Sequence, residues 1–250
     1  MPLPITQTPL QPQSSYLVST EMLDFESPAI QALIAEQKWR SLKPFDAIGA
    51  VYDYVRDQMA FGYNKSDTLK ASNVLKDGYG QCNTKGTLLM ALLRALGIEC
   101  RLHGFTIFNA LQKGAIPNYL FVLAPKRIIH SWVEVKLNGQ WLNLEGYIID
   151  QAYLTQVQAT FAGQCQSFSG YGIATPCLAA PNVHWQGQST YIQKEGIADD
   201  FGVYEQPDQF YEAHGTNLSG LKRWLFAYGL RHLMNMNVKR IRQGKVLKSH

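Results

Sequence analysis

The candidate nucleophile in this sequence is Cys82, which lies between a glycine-containing turn and a strongly apolar segment. The turn covers residues 78–80, and residues 88–96 are mostly leucine and alanine. Gly97 suits the left-handed position that ends a helix. The pattern predicts a buried helix with Cys82 at or just inside its N-terminus, where unpaired N–H groups and the helix dipole favour a thiolate. A cysteine in that position is a common nucleophile, and the alternative is an ordinary small buried cysteine.

A predicted β-hairpin brings one histidine and one carboxylate together. The segments 128–137 and 140–145 alternate apolar and polar residues and flank Asn138-Gly139, which is a strong hairpin signal. If these two residues form the turn, one face of the hairpin is apolar and belongs in the core. The predicted cross-strand pairs are Leu137 with Gln140, Val135 with Leu142, and Val133 with Leu144.

The other face of this hairpin carries the candidate base and the candidate acid, His130 and Glu145. Glu145 stands opposite Trp132 and diagonal to His130, and diagonal neighbours lie roughly 7–8 Å apart at the backbone, within reach of long side chains. We therefore expect Trp132 to border the site and to contact substrate. The same face also carries Glu134, Trp141 and Asn143.

If the fold brought these three residue types together, they could perform acyl transfer. Cys82 would attack an amide or other acyl carbon to give a thioester, and His130 would carry the proton to the leaving group. Glu145 would hold the imidazole in the required tautomer and orientation. His103 is the rival base because its strand directly follows the cysteine helix, and Asp150 is the reserve carboxylate.

The oxyanion formed in such a reaction would be met by the backbone N–H of Cys82 and by one further donor. Asn64 and Gln81 are candidates for that second donor and for substrate binding. Each could equally be a plain surface or turn residue, and the sequence leaves this open.

Two helices are predicted before the cysteine segment. Ser27-Pro28 opens a helix that runs to about Leu42, and a second, amphipathic helix begins at Asp46. The further elements predicted in this half are a polar loop at 61–70, a short turn at 71–75, and strands at 98–109 and 119–123.

The C-terminal part of the sequence predicts less. Residues 150–215 show no clear period and indicate short strands and loops, with a further short helix starting at Pro207. The segment from Leu218 to about Met236 has a helical composition, is basic, and has no acidic residue following Glu212. Such a tail either binds an anionic surface or packs on the protein with a solvated basic face, and we favour the packed helix.

The amino-acid composition limits the classes of protein to which the chain can belong. The chain has 250 residues, 46% of them hydrophobic and 17% charged, which is typical of a globular protein with one sizeable core. A net charge of +4 indicates neither nucleic acid nor a membrane as the main partner. We predict a flexible leader at 1–15, a catalytic core with N-terminal helices at 16–160, and a C-terminal extension packed on it at 161–250.

Cysteine usage and the N-terminal segment bear on the cellular location. Residues 1–15 lack an apolar signal-peptide region, and no apolar run approaches membrane-spanning length, so we expect a soluble cytoplasmic protein. Four cysteines without a CxxC pair are then most simply four thiols. A metal site formed by Cys165, Cys177 and His184 fits no familiar ligand spacing.

Three segments of the sequence resemble the transglutaminase-like superfamily, and short bacterial members of it in particular. Residues 51–61 are similar to the helix before the nucleophile segment. Residues 71–104 are similar to the cysteine segment with its "LLRALGI" continuation. Residues 130–145 are similar to the histidine strand and the strand after it, which usually ends in aspartate and here ends in Glu145.

The resemblance implies an α+β fold with a papain-like core, in which the helix bearing the cysteine packs on an antiparallel sheet and further helices are added at both termini. It implies catalytic roles for Cys82, His130 and Glu145 in a cysteine hydrolase or acyltransferase that acts on a peptide or small amide. The alternative is a non-catalytic binding module that uses a degenerate cleft. No cofactor, metal, nucleic acid or membrane partner is expected, and the sequence does not indicate an oligomeric state.

Overall fold

The computed structural model describes residues 14–121, 124–161 and 165–245 of the chain. Most of the predicted leader and the last five residues lie outside these ranges. The α-helices are α1 Pro28–Glu36, α2 Pro44–Asp57, α3 Ala71–Asp77, α4 Cys82–Ala95, α5 Asn118–Phe121, α6 Gln151–Phe161, α7 Pro207–His214, α8 Gly220–Leu225 and α9 Arg231–Arg242. The strands are β1 Ala60–Phe61, β2 Tyr79–Gly80, β3 Cys100–Phe108, β4 Arg127–Leu137, β5 Gln140–Leu144, β6 Phe168–Gly170, β7 Ile173–Thr175 and β8 Ile197–Tyr204.

The central element is a four-stranded antiparallel sheet with the strand order β5-β4-β3-β8. The β4–β5 hairpin has the predicted register, because Val133 pairs with Leu144 and Val135 with Leu142. Its turn uses positive φ angles of 51° at Asn138 and 81° at Gly139, which these two residue types tolerate. The predicted α+β fold, with a helix packed on an antiparallel sheet, is confirmed.

Helix α4 packs against the apolar face of this sheet. Leu88, Leu89 and Leu92 are completely buried, as predicted from the apolar run. The helix is closely packed at Gly86, where a Cβ would lie 2.7 Å from the hydroxyl of Tyr147, in the loop after β5, and 3.6 Å from Val133 of β4. Because only glycine leaves room for that contact, the position of the N-terminal turn of α4 relative to the sheet is fixed by packing.

Several element predictions were wrong. The apolar run at 119–123 was predicted as a strand, but its described part belongs to the short helix α5. The helix α6 lies in a region predicted to contain only short strands and loops. It begins there because the buried carboxylate of Asp150 accepts the backbone N–H of Tyr153 at 2.9 Å, as an N-cap does. Helix α1 ends before Leu42 because Lys38 adopts a left-handed φ of 55°.

The C-terminal segment is helical from Gly220 to Arg242, with a single π-helical stretch at Phe226–Leu230. Helix α9 packs on α6 and buries Met234, Val238 and Ile241. Its Lys239 and Arg240 side chains are exposed, whereas Arg242 forms an ion pair with the buried Asp150. This arrangement agrees with the packed interpretation of the basic tail. The division of the chain into core and extension stays a prediction.

The predicted set of four free thiols was wrong. Cys165 and Cys177 form a disulfide across 12 residues, whereas Cys82 and Cys100 are free and buried. The two sulfur atoms meet because the segment between them folds back through the β6–β7 hairpin. Among the described residues, no group of three His, Cys, Asp or Glu side chains could hold a metal ion. No helix in the described ranges is long and apolar enough to cross a membrane.

Candidate active site

Cys82 is the first residue of α4 and one of the residues that line a cavity of about 520 Å³. Its side chain is nearly buried, with 8% of the residue exposed. The N-terminus of α4 is fixed by the residues just before and after the cysteine, since the backbone N–H of Gln81 donates to the Thr84 hydroxyl at 3.1 Å. The thiol therefore sits at the positive end of a buried helix and faces a cavity.

His130 lies on β4 with its side chain completely buried. Its Nε2 lies 3.0 Å from Oε1 of Glu145. Its Nδ1 has no hydrogen bond of regular geometry within the described ranges, although Cys82 is close enough to act on the ring. Burial alone would lower the pKa of His130, but interactions with Cys82 and then with Glu145 raise it to about 9. The ring is thus held between a thiol and a carboxylate.

Glu145 is also completely buried, and its second carboxylate oxygen is fixed by the backbone. Oε2 accepts the N–H groups of Ile192 and Gln193 at 2.9 and 3.0 Å. The Glu145 backbone N–H donates to the carbonyl of Thr190 at 3.1 Å, which ties the end of β5 to the same segment. Each carboxylate oxygen therefore has a defined partner, and only Oε1 faces the imidazole.

Residues 190–193 contribute to the site, and they could not be recognised from the sequence. They lie in a stretch without readable periodicity, and they contribute through backbone N–H groups, which every non-proline residue carries. No side-chain type or spacing signals that role, so nothing in the sequence could have found them.

A polar network joins the N-terminus of α4 to β4. The amide nitrogen of Asn83 donates to the carbonyl of Ile129 at 3.1 Å and to Asp67 at 3.2 Å. The amide oxygen of Asn83 accepts the Ser131 hydroxyl at 2.9 Å. Because Ile129 and Ser131 flank His130, these bonds set the distance between the strand that carries the histidine and the helix that carries the cysteine.

The two predicted second donors, Asn64 and Gln81, both line the cavity beside Cys82. The amide nitrogen of Asn64 already donates to Asp77 at 2.9 Å and to the carbonyl of Tyr79 at 3.0 Å. The amide nitrogen of Gln81 donates to Asp67 at 3.1 Å. A substrate oxyanion would have to compete with these partners, so the role of either residue as oxyanion donor stays a prediction.

Trp132 lies on β4, two residues after His130, but it is not among the residues that line this cavity. Its ring packs against Phe105 at a centroid distance of 4.2 Å, against His103 at 5.4 Å and against Tyr191 at 5.8 Å. The predicted contact of Trp132 with substrate is therefore not made through this cavity.

The rival base and the reserve carboxylate are engaged elsewhere. His103 bridges Glu134 and Asp200, each at 2.8 Å. Asp150 accepts the N–H of Phe61 at 2.7 Å and forms an ion pair with Arg242 at 2.6 Å. Neither side chain is a partner of Cys82 or His130.

Lys85 is a completely buried cation one turn along α4 from Cys82. Its ammonium donates to the carbonyls of Arg56 and Ile148, both at 3.0 Å. Burial lowers the pKa of Lys85 to about 7, opposed mainly by the charge of Asp150. These bonds connect α4 with α2 and with the loop after β5.

A comparison with protein-family models gives one match, in the central part of the chain. Residues 31–146 match the model of the transglutaminase-like superfamily. Over that segment the chain is similar to the superfamily. The matched segment includes Cys82, His130 and Glu145 and ends just after the β5 strand.

Other comparisons add less. No curated protein matches the chain. A crystal structure described as a putative cysteine protease from Cytophaga hutchinsonii is similar over 77% of this chain and 47% of that chain, with 12% sequence identity and a TM-score of 0.45. This chain thus spans about half the length of that structure.

Proposed function

We propose that this protein is a cysteine hydrolase or acyltransferase that acts on an amide through a thioester intermediate on Cys82. The observation that carries the proposal is the buried series of Cys82, His130 and Glu145, in which the imidazole lies between the thiol and a carboxylate anchored by two backbone N–H groups. The transglutaminase-like core supports the same class of reaction.

The reaction follows from the state of the imidazole. With its pKa raised to about 9, His130 carries a proton at neutral pH and faces Cys82 as an imidazolium. The thiolate attacks the acyl carbon, and the oxyanion forms at the N-terminus of α4, where the backbone N–H groups and the helix dipole favour negative charge. The imidazolium then donates its proton to the leaving group, and the thioester remains on Cys82.

The second half of the reaction uses the same groups in reverse. Neutral His130 removes a proton from the acceptor, which attacks the thioester and releases the thiolate. Water as acceptor gives an amidase or peptidase, and a primary amine gives amide transfer. Glu145 keeps Nε2 as the hydrogen-bond donor, so that Nδ1 is the nitrogen that exchanges protons with the thiol and the acceptor.

The proposal is tested by trapping the thioester. The native protein is incubated with libraries of peptides, small amides and esters, quenched in acid, and analysed by intact mass for an acyl adduct. Cys82→Ala serves as the active-site control, and Cys100→Ala controls for the other free thiol. An adduct that forms in the native protein and in Cys100→Ala, but not in Cys82→Ala, is the expected result.

A different outcome would favour a non-catalytic binding module. Substrates that bind without any adduct, or adducts that persist in Cys82→Ala, would contradict the proposal. Once an acyl donor is found, release of the adduct by water is compared with release by added amines, which separates hydrolysis from transfer.

A further inference from the structure

We propose that the cavity beside Cys82 binds a long, unbranched acyl chain, so that the substrate is a fatty acyl amide or ester rather than a peptide. The inference rests on the proposed function for the reaction, but the binding site itself is argued from the cavity. With about 520 Å³, it lies within the range of sites for small organic ligands.

The walls of the cavity are mainly aliphatic. They combine side chains from β3, β4 and the α5 region with side chains from the C-terminal helical segment, which contributes one wall. The apolar residues include Ile107, Ile116, Leu120, Ile128, Leu225 and Met234. Flexible aliphatic walls fit an alkyl chain, since burying its methylene groups is favourable and requires no directional contacts.

Several polar side chains in the lining already have hydrogen-bond partners. Tyr63 donates to Gln112 at 2.7 Å. Asn217 accepts the N–H of Ile129 at 2.7 Å and donates to Asp67 at 3.1 Å. A bound peptide would bring backbone N–H and C=O groups that need partners, and leaving them unpaired in this cavity would be costly. An acyl chain brings no such groups.

The charged side chains of the lining favour an anionic ligand. Lys65, Lys222 and Arg223 line the cavity and are exposed, which places positive charge at its solvent-facing edge. The acid in the described lining, Asp67, accepts hydrogen bonds from Gln81, Asn83 and Asn217. We therefore expect anionic amphiphiles to bind better than cationic ones of the same chain length.

The chain would reach the nucleophile directly. Cys82 and Asn83 belong to the same lining as the aliphatic residues, so an acyl carbonyl at Cys82 and its hydrocarbon chain occupy one continuous space. The thiolate adds to this carbonyl, the bond to the amine or alcohol breaks, and the leaving group takes its proton from His130. No other reactant is required to form the acyl-enzyme.

Binding is tested separately from catalysis in Cys82→Ala protein. A fluorescent fatty acid, dansylaminoundecanoate, is titrated and then displaced with dodecanoate, with dodecyltrimethylammonium and with a capped leucine peptide. We expect saturable binding, and displacement by dodecanoate at concentrations about tenfold lower than those needed for the cationic amphiphile or the peptide.

Two exposed leucines of α8 provide a matched pair of variants. Leu225 lines the cavity and Leu221 does not, and they are 46% and 73% exposed. Leu225→Gln should weaken binding of the probe about tenfold, whereas Leu221→Gln should change it less than about twofold. Equal effects of the two substitutions would mean that the probe binds the outer face of the helix, and the inference would be wrong.

The inference would also be overturned if the leucine peptide displaced the probe better than dodecanoate does. The outcomes are distinct from those for the proposed function. Binding of the probe to Cys82→Ala without any adduct on the native protein leaves the acyl-chain site standing and refutes the cysteine chemistry. An adduct that forms with peptides alone would support the cysteine chemistry and refute the acyl-chain site.

Discussion

Two histidine–carboxylate pairs lie on neighbouring strands of the same sheet face, and they differ in almost every property that matters for catalysis. His130 and Glu145 are both completely buried. His103 lies opposite Trp132 on β3, its side chain is 18% exposed, and it bridges Glu134 and the exposed Asp200. Arg101 also binds Glu134, at 2.6 Å.

The partners of each pair explain the contrast. Burial opposes a charged His103, but hydrogen bonds to Glu134 and Asp200 raise its pKa, so its charge is neutralised by two acids and no nucleophile is involved. For His130, burial lowers the pKa, but Cys82 and Glu145 raise it by more. A histidine with a carboxylate partner is thus common to both regions. His130 differs in also having a thiol on the other side of its ring, and the proposed chemical role rests on that difference.

Replacing each histidine should give the largest difference in turnover between the two pairs. We expect His130→Asn to lower turnover by a factor on the order of 10³–10⁶, by analogy with serine triads, because the thiol loses its base and the leaving group loses its acid. His103→Asn, the matched control, should retain activity within a factor of about three, a small effect on the scale of triad substitutions. The rate is measured as the Cys82-dependent hydrolysis of a p-nitrophenyl ester. Equal losses in both variants would remove the distinction between the two pairs.

Replacing the carboxylate of each pair should have the second largest effect on turnover. Glu145→Gln should reduce turnover on the order of 10²–10⁴-fold, because an amide supplies no charge and does not reliably select the tautomer. Glu145→Asp should be milder, since it restores the usual residue of the superfamily. Glu134→Gln should leave the rate within a few-fold of native and is the control. Full activity in Glu145→Gln would show that His130 needs no acid partner.

Asp150 tests whether a buried carboxylate near the site is necessarily catalytic. Asp150→Asn should leave turnover nearly unchanged but lower the free energy of unfolding by about 1–3 kcal/mol, because it weakens the ion pair with Arg242 and the cap of α6. Ester hydrolysis measures the turnover, and denaturant unfolding measures the free energy of unfolding. A loss of activity that exceeds the loss in Glu145→Gln would assign the third role to Asp150 instead.

A further prediction concerns the pH dependence of stability. The pKa of His130 is raised from its ordinary value of about 6.5 to about 9. Its contribution is therefore fully present below about pH 6.5 and is lost progressively as the pH rises to about 9. The free energy of unfolding should fall across this window in the native protein, and less steeply in His130→Asn. Parallel curves for the two proteins would contradict the raised pKa.

The parts of the site that depend on local sequence could be predicted. Asn138-Gly139 fixes a two-residue turn, the turn fixes the register, and the register puts His130 and Glu145 on one face. Likewise, the apolar run closed by Gly97 indicates a buried helix that starts near Cys82. Both arguments need only interactions between residues close in sequence.

The parts that depend on distant backbone groups could not be predicted. Glu145 is anchored by N–H groups 47 and 48 residues away, and one wall of the cavity comes from the segment 216–234. The Cys165–Cys177 disulfide was missed because four scattered cysteines fit free thiols equally well. Since the disulfide depends on an oxidising environment, it bears on the expected cytoplasmic location, which stays a prediction.

The most direct test of the central claim is the rate at which iodoacetamide alkylates Cys82 at about pH 6, where an unassisted thiol reacts slowly. We predict that native protein and His103→Asn react at similar rates, and that His130→Asn reacts on the order of 10²-fold more slowly because the imidazole beside the sulfur is lost. Peptide mapping confirms that the label is on Cys82, with buried Cys100 as the internal reference. If His130→Asn were alkylated as fast as the native protein, Cys82 and His130 would not act as a pair.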